Sequence, residues 1–179
     1  MLKTILKYGV VAGVIVGVPM FIGNVLVDGH PPVAISMAIG YATMLIALSM
    51  VFLAVKRQRD TVGGGVIKFW PALGMGLAIS LVAAVFYVGT WELTQALTGD
   101  DFVAGYTRAL VAEKVAAGAS QAEIAALQAR MAEFAVQYAD PLYRLPMTFI
   151  EIFPVGALVS IVTAALLRNS RFLPARRAA

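Results

Sequence analysis

The chain has 179 residues, of which 60% are hydrophobic and only 13% charged, and its mean hydropathy is +0.84. Soluble domains contain about 25% charged residues, so this composition excludes an ordinary water-soluble fold and predicts a membrane protein. The absence of cysteine excludes disulfides, thiolate metal sites and thiol chemistry. The sequence pI near 9.6 does not indicate nucleic-acid binding, because the basic residues border apolar segments and read as topology signals.

Four apolar stretches are each close to the ~20 residues that a helix needs to cross a bilayer. They are Ile5–Val27, Val33–Val55, Pro71–Trp91 and Pro146–Leu167. We expect Pro146 to begin the fourth helix, because the first residue of a helix needs no amide partner within it. The first stretch is too long for a signal-peptide core, so we expect it to be retained. The predicted fold class is an all-α membrane protein, a four-transmembrane-helix bundle.

The basic residues are divided unevenly between the two sides of these spans. Ten of the fourteen fall beside the termini or in the loop after the second span: Lys3, Lys7, Lys56, Arg57, Arg59, Lys68, Arg168, Arg171, Arg176 and Arg177. Cytoplasmic flanks collect Lys and Arg during insertion, so this side, which includes both termini, is predicted to be the cytoplasmic side of an inner membrane. We expect Lys56, Arg57, Arg59 and Lys68 to contact anionic lipid headgroups there.

The sequence offers little for catalysis. His30 is the single histidine, which excludes zinc centres built from several imidazoles and leaves no Ser-His-Asp arrangement to assemble. Gly-rich loops can cradle phosphate, but Gly63–Gly65 ahead of Lys68 does not have the spacing of a P-loop, and a flexible turn is favoured. We therefore expect no enzyme activity, no metal and no cofactor.

Residues 92–145 differ from the spans, because polar and apolar residues alternate there at helical spacing. One helix is predicted over about residues 101–117, ending on Gly118. The next begins at Ser120, which forms a capping box with Glu123, each side chain binding the other residue's amide. The sequence thus predicts a helical-hairpin insert outside the membrane, on the extracytoplasmic side, between the third and fourth spans.

Each predicted helix of the insert carries an apolar stripe. The second helix has a narrow seam that ends at Asp140-Pro141, and the first helix offers a facing stripe; the two sets are Ile124, Leu127, Met131, Phe134 and Tyr138, and Val103, Tyr106, Leu110, Val111 and Val115. An intramolecular hairpin is the favoured interpretation. The alternative is an intermolecular coiled coil, in which the insert binds a second copy or another protein.

Small residues recur at every fourth position within three of the spans. The three stripes are Gly9, Gly13 and Gly17; Ala72, Gly76, Ser80 and Ala84; and Gly156, Ser160 and Ala164. Such stripes let helix backbones approach closely. Tight packing within one chain is favoured, and oligomerisation is the alternative.

Glu151 is the most informative polar residue in the spans. It lies five residues after Pro146, about 7 Å into the helix at 1.5 Å per residue, where an unpaired carboxylate is costly. Pro154 cannot donate to the carbonyl of residue 150, and Gly156 follows it, so a kink is predicted beside the carboxylate.

Two interpretations of Glu151 remain open. The favoured one is an ion pair with Arg144, seven positions earlier and on the same helix face if the chain is helical there. The alternative is a proton or cation site formed by Glu151 with Glu92 and either Asp28 or His30.

Several motifs together resemble the domain of unknown function 4199 family. They are the run Ile39–Leu48, the pair Arg59-Asp60, the run Gly64–Phe69, the triplet Thr90-Trp91-Glu92, the run Tyr138–Leu142, and the distinctive run Met147–Gly156. The resemblance spans nearly the whole chain and implies a bacterial, four-helix integral membrane protein. It implies no substrate, cofactor or catalytic residue.

Two functional hypotheses follow. The first is a non-enzymatic membrane scaffold or accessory subunit whose insert binds a partner. The second is a small proton- or cation-coupled transporter that uses Glu151 and Glu92.

Overall fold

The structure is a computed structural model that describes residues 1–25, 33–98 and 101–174. Within these ranges every regular element is a helix. The six helices are α1 (Leu2–Val25), α2 (Val33–Thr61), α3 (Phe69–Thr98), α4 (Asp101–Ala116), α5 (Gln121–Ala139) and α6 (Pro141–Leu167). Of these, α1, α2, α3 and α6 are long and apolar enough to cross a membrane.

The long helices extend beyond the predicted spans. Helix α3 continues two turns past Trp91 to Thr98, and α2 continues past Val55 to Thr61. The prediction that Pro146 begins the fourth long helix is wrong, because α6 starts at Pro141. Asp140 caps this start by accepting a hydrogen bond from the Leu142 amide at 2.9 Å.

The four long helices pack side by side. Helix α3 makes its most extensive contacts with α1 and α6. Helix α2 packs mainly against α1 and α6 as well. Helices α1 and α3 are parallel, since Gly9 faces Val82 and Gly17 faces Thr90. Helix α6 is antiparallel to α3, so the start of α1, the end of α2, the start of α3 and the end of α6 share one end, called here the basic end.

All members of the three small-residue stripes are buried within the single chain. A Cβ atom at Gly13 would lie 2.6 Å from the Cβ of Phe86, and one at Gly156 would lie 2.7 Å from the Cβ of Ser80. The Ser80 and Ser160 hydroxyls also meet at 3.3 Å between α3 and α6. The stripes are therefore helix-packing surfaces of this chain, as the favoured interpretation predicts.

Helices α4 and α5 form a second layer at the other end, called here the acidic end. The predicted capping box is present: the Ser120 amide donates to Glu123 Oε2 at 2.8 Å, and the Glu123 amide donates to Ser120 Oγ at 3.3 Å. Gly118, with φ +78°, makes the turn between the helices, a conformation that favours glycine.

The apolar seam of α5 is covered by two neighbours. Its C-terminal part packs against α4 and also against Trp91 of α3, in a small core formed by Trp91, Val103 and Tyr138 with Met131 and Phe134. The other seam residues, Ile124 and Leu127, are half-buried. Helix α3 thus supplies, through Trp91 at the end of its predicted span, part of the cover that the sequence assigned to α4 alone.

Candidate functional site

The principal polar site lies at the acidic end, where the start of α6 meets the C-terminal part of α3. The Arg144 guanidinium binds both carboxylate oxygens of Glu92, with Nε to Oε1 at 2.7 Å and Nη2 to Oε2 at 2.6 Å. Its Nη1 donates to the Tyr138 carbonyl at 3.1 Å. This two-pronged geometry is the strong form of a carboxylate ion pair, and it joins three helices through one side chain.

Tyr138 is the centre of this site. Its hydroxyl accepts a hydrogen bond from the Trp91 indole at 2.7 Å, and its ring lies 5.9 Å from the Arg144 guanidinium carbon. Burial raises the pKa of the Tyr138 phenol, so the group stays neutral and able to hydrogen-bond. The Thr148 hydroxyl donates to the Arg144 carbonyl at 3.0 Å, which adds a second turn of α6 to the network.

The expected ion pair between Glu151 and Arg144 is not formed. Arg144 reaches across to Glu92 on α3, while Glu151 accepts a hydrogen bond from the Tyr87 hydroxyl at 3.3 Å. Helix α6 does include Arg144, as that pair would require, but Glu92 near the end of α3 lies against the Arg144 guanidinium and occupies it with both carboxylate oxygens. Tyr87 is buried, whereas Glu151 is exposed.

The alternative cation site is only partly described by the structure. Asp28 and His30 lie outside the described residues. Glu92 has both oxygens bound by Arg144, seven positions before Glu151 on α6, so the two acids have separate partners. Within the described ranges no group of three or more His, Asp or Glu side chains could hold a metal ion.

The segment around Glu151 stays helical. Helix α6 continues through Pro146 and Pro154, and the predicted kink at Pro154 and Gly156 stays a prediction. Gly156 has a different visible role, since it lets α6 approach Ser80 of α3. An apolar groove of about 390 Å³ lies nearby between the two helices, lined by Val85, Val88, Leu145, Pro146, Phe149 and Ile150.

Arg59 at the basic end is not available as a lipid-headgroup contact. Its side chain is 0% exposed, and its Nε donates to Asp60 Oδ1 at 2.8 Å. Nη1 donates to the Phe172 carbonyl at 2.9 Å, and Nη2 donates to the Leu173 carbonyl. Arg59 is therefore an internal clasp that holds the segment after α6 against the end of α2, because a buried guanidinium needs such partners.

The other basic residues of this end differ from Arg59. Lys56 pairs with Asp60 one turn later, and Arg57 and Lys68 are exposed, as a headgroup contact requires. The glycine run forms a closed turn: the Gly65 amide donates to the Arg59 carbonyl at 2.9 Å, and Gly64 and Gly65 have positive φ. Residues Gly63–Gly65 thus form a turn, and the Gly63 and Gly65 amides are bound to carbonyls of the chain itself.

One connection at the acidic end was missed from the sequence. Glu113 of α4 accepts a hydrogen bond from the Val33 amide at 2.8 Å, at the first residue of α2. The first amides of a helix have no hydrogen-bond acceptor within that helix, and a carboxylate is a favourable partner for them. The sequence signal was weak, because Glu113 lies 80 positions from Val33. The central role of Tyr138 was missed too, since its place in the apolar seam concealed its hydroxyl.

Over the described residues the protein is all-helical, and four of its helices have the composition of membrane-embedded segments. At the acidic end, the Arg144–Glu92 ion pair joins α6 to α3. Residues 7–169 match the family described as Protein of unknown function (DUF4199). The chain belongs to that family, as its motifs indicate. No curated protein and no solved structure matches it.

Proposed function

We propose that this protein is a non-enzymatic scaffold or accessory subunit of the bacterial inner membrane. Its four long helices form a transmembrane bundle with both termini in the cytoplasm, and α4 and α5 form an extracytoplasmic platform that binds a protein partner. The observation that carries the proposal is the double role of Arg144, which pairs with Glu92 of α3 and also donates to the Tyr138 carbonyl of α5, so that the platform is tied to two long helices.

The polar groups of the acidic end support a structural role. Arg144, Glu92, Tyr138 and Trp91 are bound to one another, an arrangement that makes a joint rigid. Outside this joint, α5 presents exposed residues, including Val136, which is 77% exposed. A rigid base with an exposed outer face is the form expected of a binding platform.

Charge supports the proposed orientation. The basic end carries Lys3, Lys7, Arg57, Lys68, Arg168 and Arg171 among the described residues, whereas the platform carries Glu113, Glu123, Glu133 and Asp140 beside fewer bases. The contacts of α1 with α3 and of α2 with the segment after α6 bring the basic residues to a common end. Such a distribution favours a cytoplasmic basic end.

The absence of cysteine permits a direct test of the platform. In full-length protein in its native membrane, Val136→Cys carrying a photoreactive maleimide should form a discrete adduct with one partner protein. Val62→Cys, 72% exposed at the basic end, is the matched control and should not give that adduct. The proposal further requires that a charge at the mapped contact, Val136→Glu, prevents partner association. Labelling of lipid alone, or equal adducts from both sites, would contradict it.

The transporter hypothesis uses Glu151 with Glu92, and the geometry gives it less support. Glu92 is neutralised by Arg144, which leaves Glu151 with Tyr87 alone as its hydrogen-bonding partner among the described residues. We therefore expect Glu151→Gln to cause no loss of proton or cation flux when the purified protein is measured in proteoliposomes. Flux that disappears in both Glu151→Gln and Glu92→Gln would favour the transporter instead.

A further inference from the structure

One face of α6 combines exposed apolar residues with a carboxylate. Met147, Ile150, Glu151, Pro154 and Leu158 are all exposed, and their spacing of three and four places them along one side of the helix. The apolar members are open to a large extent, with Ile150 at 65% and Leu158 at 61%. Ile150 also forms an edge of the apolar groove between α3 and α6.

Glu151 lies within the span by the helix geometry. It is seven residues beyond Arg144, or about 10 Å along the axis, and seventeen residues before Arg168, or about 25 Å, at 1.5 Å per residue. A hydrocarbon core about 30 Å thick that begins beside Arg168 therefore contains Glu151 near its outer edge. Ionisable side chains inside a span are rare on lipid-facing surfaces and pair with other groups, so a carboxylate on this face indicates a partner.

Among the residues that the structure describes, no base forms an ion pair with Glu151. The buried Tyr87 hydroxyl, a neutral group, donates to Glu151 Oε2 at 3.3 Å, while Glu151 as a residue remains exposed. The nearest base along α6 toward the acidic end, Arg144, is bound to Glu92. A positive group from outside the chain would complete the site.

We propose that this face of α6 binds a transmembrane helix of a second protein, and that a Lys or Arg of that helix pairs with Glu151. A second copy does not fit as well, because a two-fold axis along the membrane normal places equivalent residues at equal depth. It would bring Glu151 opposite another Glu151. The groove edged by Ile150 accommodates apolar side chains of the partner helix.

This inference rests on the proposed function and adds an intramembrane contact to the platform contact. The test uses the full-length chain in its native membrane, with the photoreactive residue benzoylphenylalanine in place of Leu158. The control carries it in place of Leu81, which is 46% exposed on α3. Position 158 should give an adduct with an apolar segment of another protein that contains Lys or Arg, and position 81 should not.

Substitutions at Glu151 then test the ion pair. Glu151→Gln should lower the adduct yield about tenfold, as loss of one charge-assisted bond predicts, while Glu151→Asp should retain most of it. Glu151→Lys should abolish the adduct, and changing the mapped Lys or Arg of the partner to Glu should restore it. That rescue also shows that the Glu151→Lys chain is folded.

Other outcomes would overturn the inference. An adduct with lipid alone or with a second copy alone would do so. An unchanged yield in Glu151→Gln would also do so, because glutamine imitates a protonated acid and cannot form an ion pair. Loss of the Val136 adduct with retention of the Leu158 adduct would refute the platform and leave the intramembrane contact standing. The reverse result would refute the intramembrane contact alone.

Discussion

Arg144 and Glu92 lie 52 positions apart in the chain and form a two-pronged ion pair at 2.7 and 2.6 Å. The pair joins the first turn of α6 to the extended end of α3, beside the point where α5 ends. Arg144 is 13% exposed and Glu92 30% exposed, so water screens the pair only in part. It is thus stronger than a surface ion pair and weaker than a fully buried one.

Arg144→Met should destabilise the protein by about 1–3 kcal/mol, because it leaves the Glu92 carboxylate half-buried without its cation. The control is Arg130→Met on the exposed side of α5, which should change stability by less than about 0.5 kcal/mol. Unfolding in detergent measures both. Equal losses from the two variants would show that the ion pair contributes little.

Gly13→Leu should disrupt the packing of α1 on α3, because a Cβ atom there would lie 2.6 Å from Phe86 Cβ. We expect a loss of about 3 kcal/mol, at the upper end of the cost of overpacking. Gly23 lies in the same helix with nothing within 4 Å of its Cβ position, so Gly23→Leu should be tolerated. Thermal unfolding in detergent compares the two, and similar melting points would argue against this packing.

Arg59→Ala should release the segment that follows α6. The substitution removes the hydrogen bonds to the Phe172 and Leu173 carbonyls, so amide hydrogen exchange over residues 168–174 should accelerate. Arg57→Ala, two residues earlier and exposed, should leave exchange there unchanged. Protection that persists in Arg59→Ala would mean that other contacts hold this segment.

The start of α5 should weaken in acid. Hydrogen bonds from the Ser120 amide and hydroxyl lower the pKa of Glu123 below its ordinary value of 4.5. A lowered folded-state pKa gives stability that is present above the unfolded value and is lost as the pH falls through the folded value. Amide protection at residues 121–125, corrected for intrinsic rates, should therefore fall once the pH drops below the ordinary glutamate value of 4.5 and through the lowered pKa of Glu123. Glu123→Gln should lack this acid-dependent step.

Reporter fusions test the proposed orientation. Fusions after Arg59 and after Arg177 should report the cytoplasm, and one within residues 116–120 should report the extracytoplasmic side, because ten of the fourteen bases lie on the flanks proposed to be cytoplasmic. A cytoplasmic signal from the last fusion would invert the platform and require a new model of its partner.

Local patterns were sufficient to predict much of this protein. The four apolar stretches, the capping box at Ser120 and the small-residue stripes each depend on residues within a few turns of one another, where helix geometry and apolarity act directly. Their outcomes agree with the structure: Gly118 turns the chain, and Gly9, Gly13 and Gly17 are all buried.

Tertiary structure decided which side chains meet. Arg144 pairs with Glu92 instead of Glu151. Helices α3 and α6 both extend past the predicted spans, and this brings Arg144 and Glu92 to the same height in the bundle. Arg59 was read as a lipid contact because its neighbours Lys56 and Arg57 are basic, yet the carbonyls that bury it lie 113 and 114 positions away. Hydropathy and residue spacing describe only residues that are close in sequence. Hydrogen bonds between helices depend on the relative height and rotation of those helices, which their packing determines.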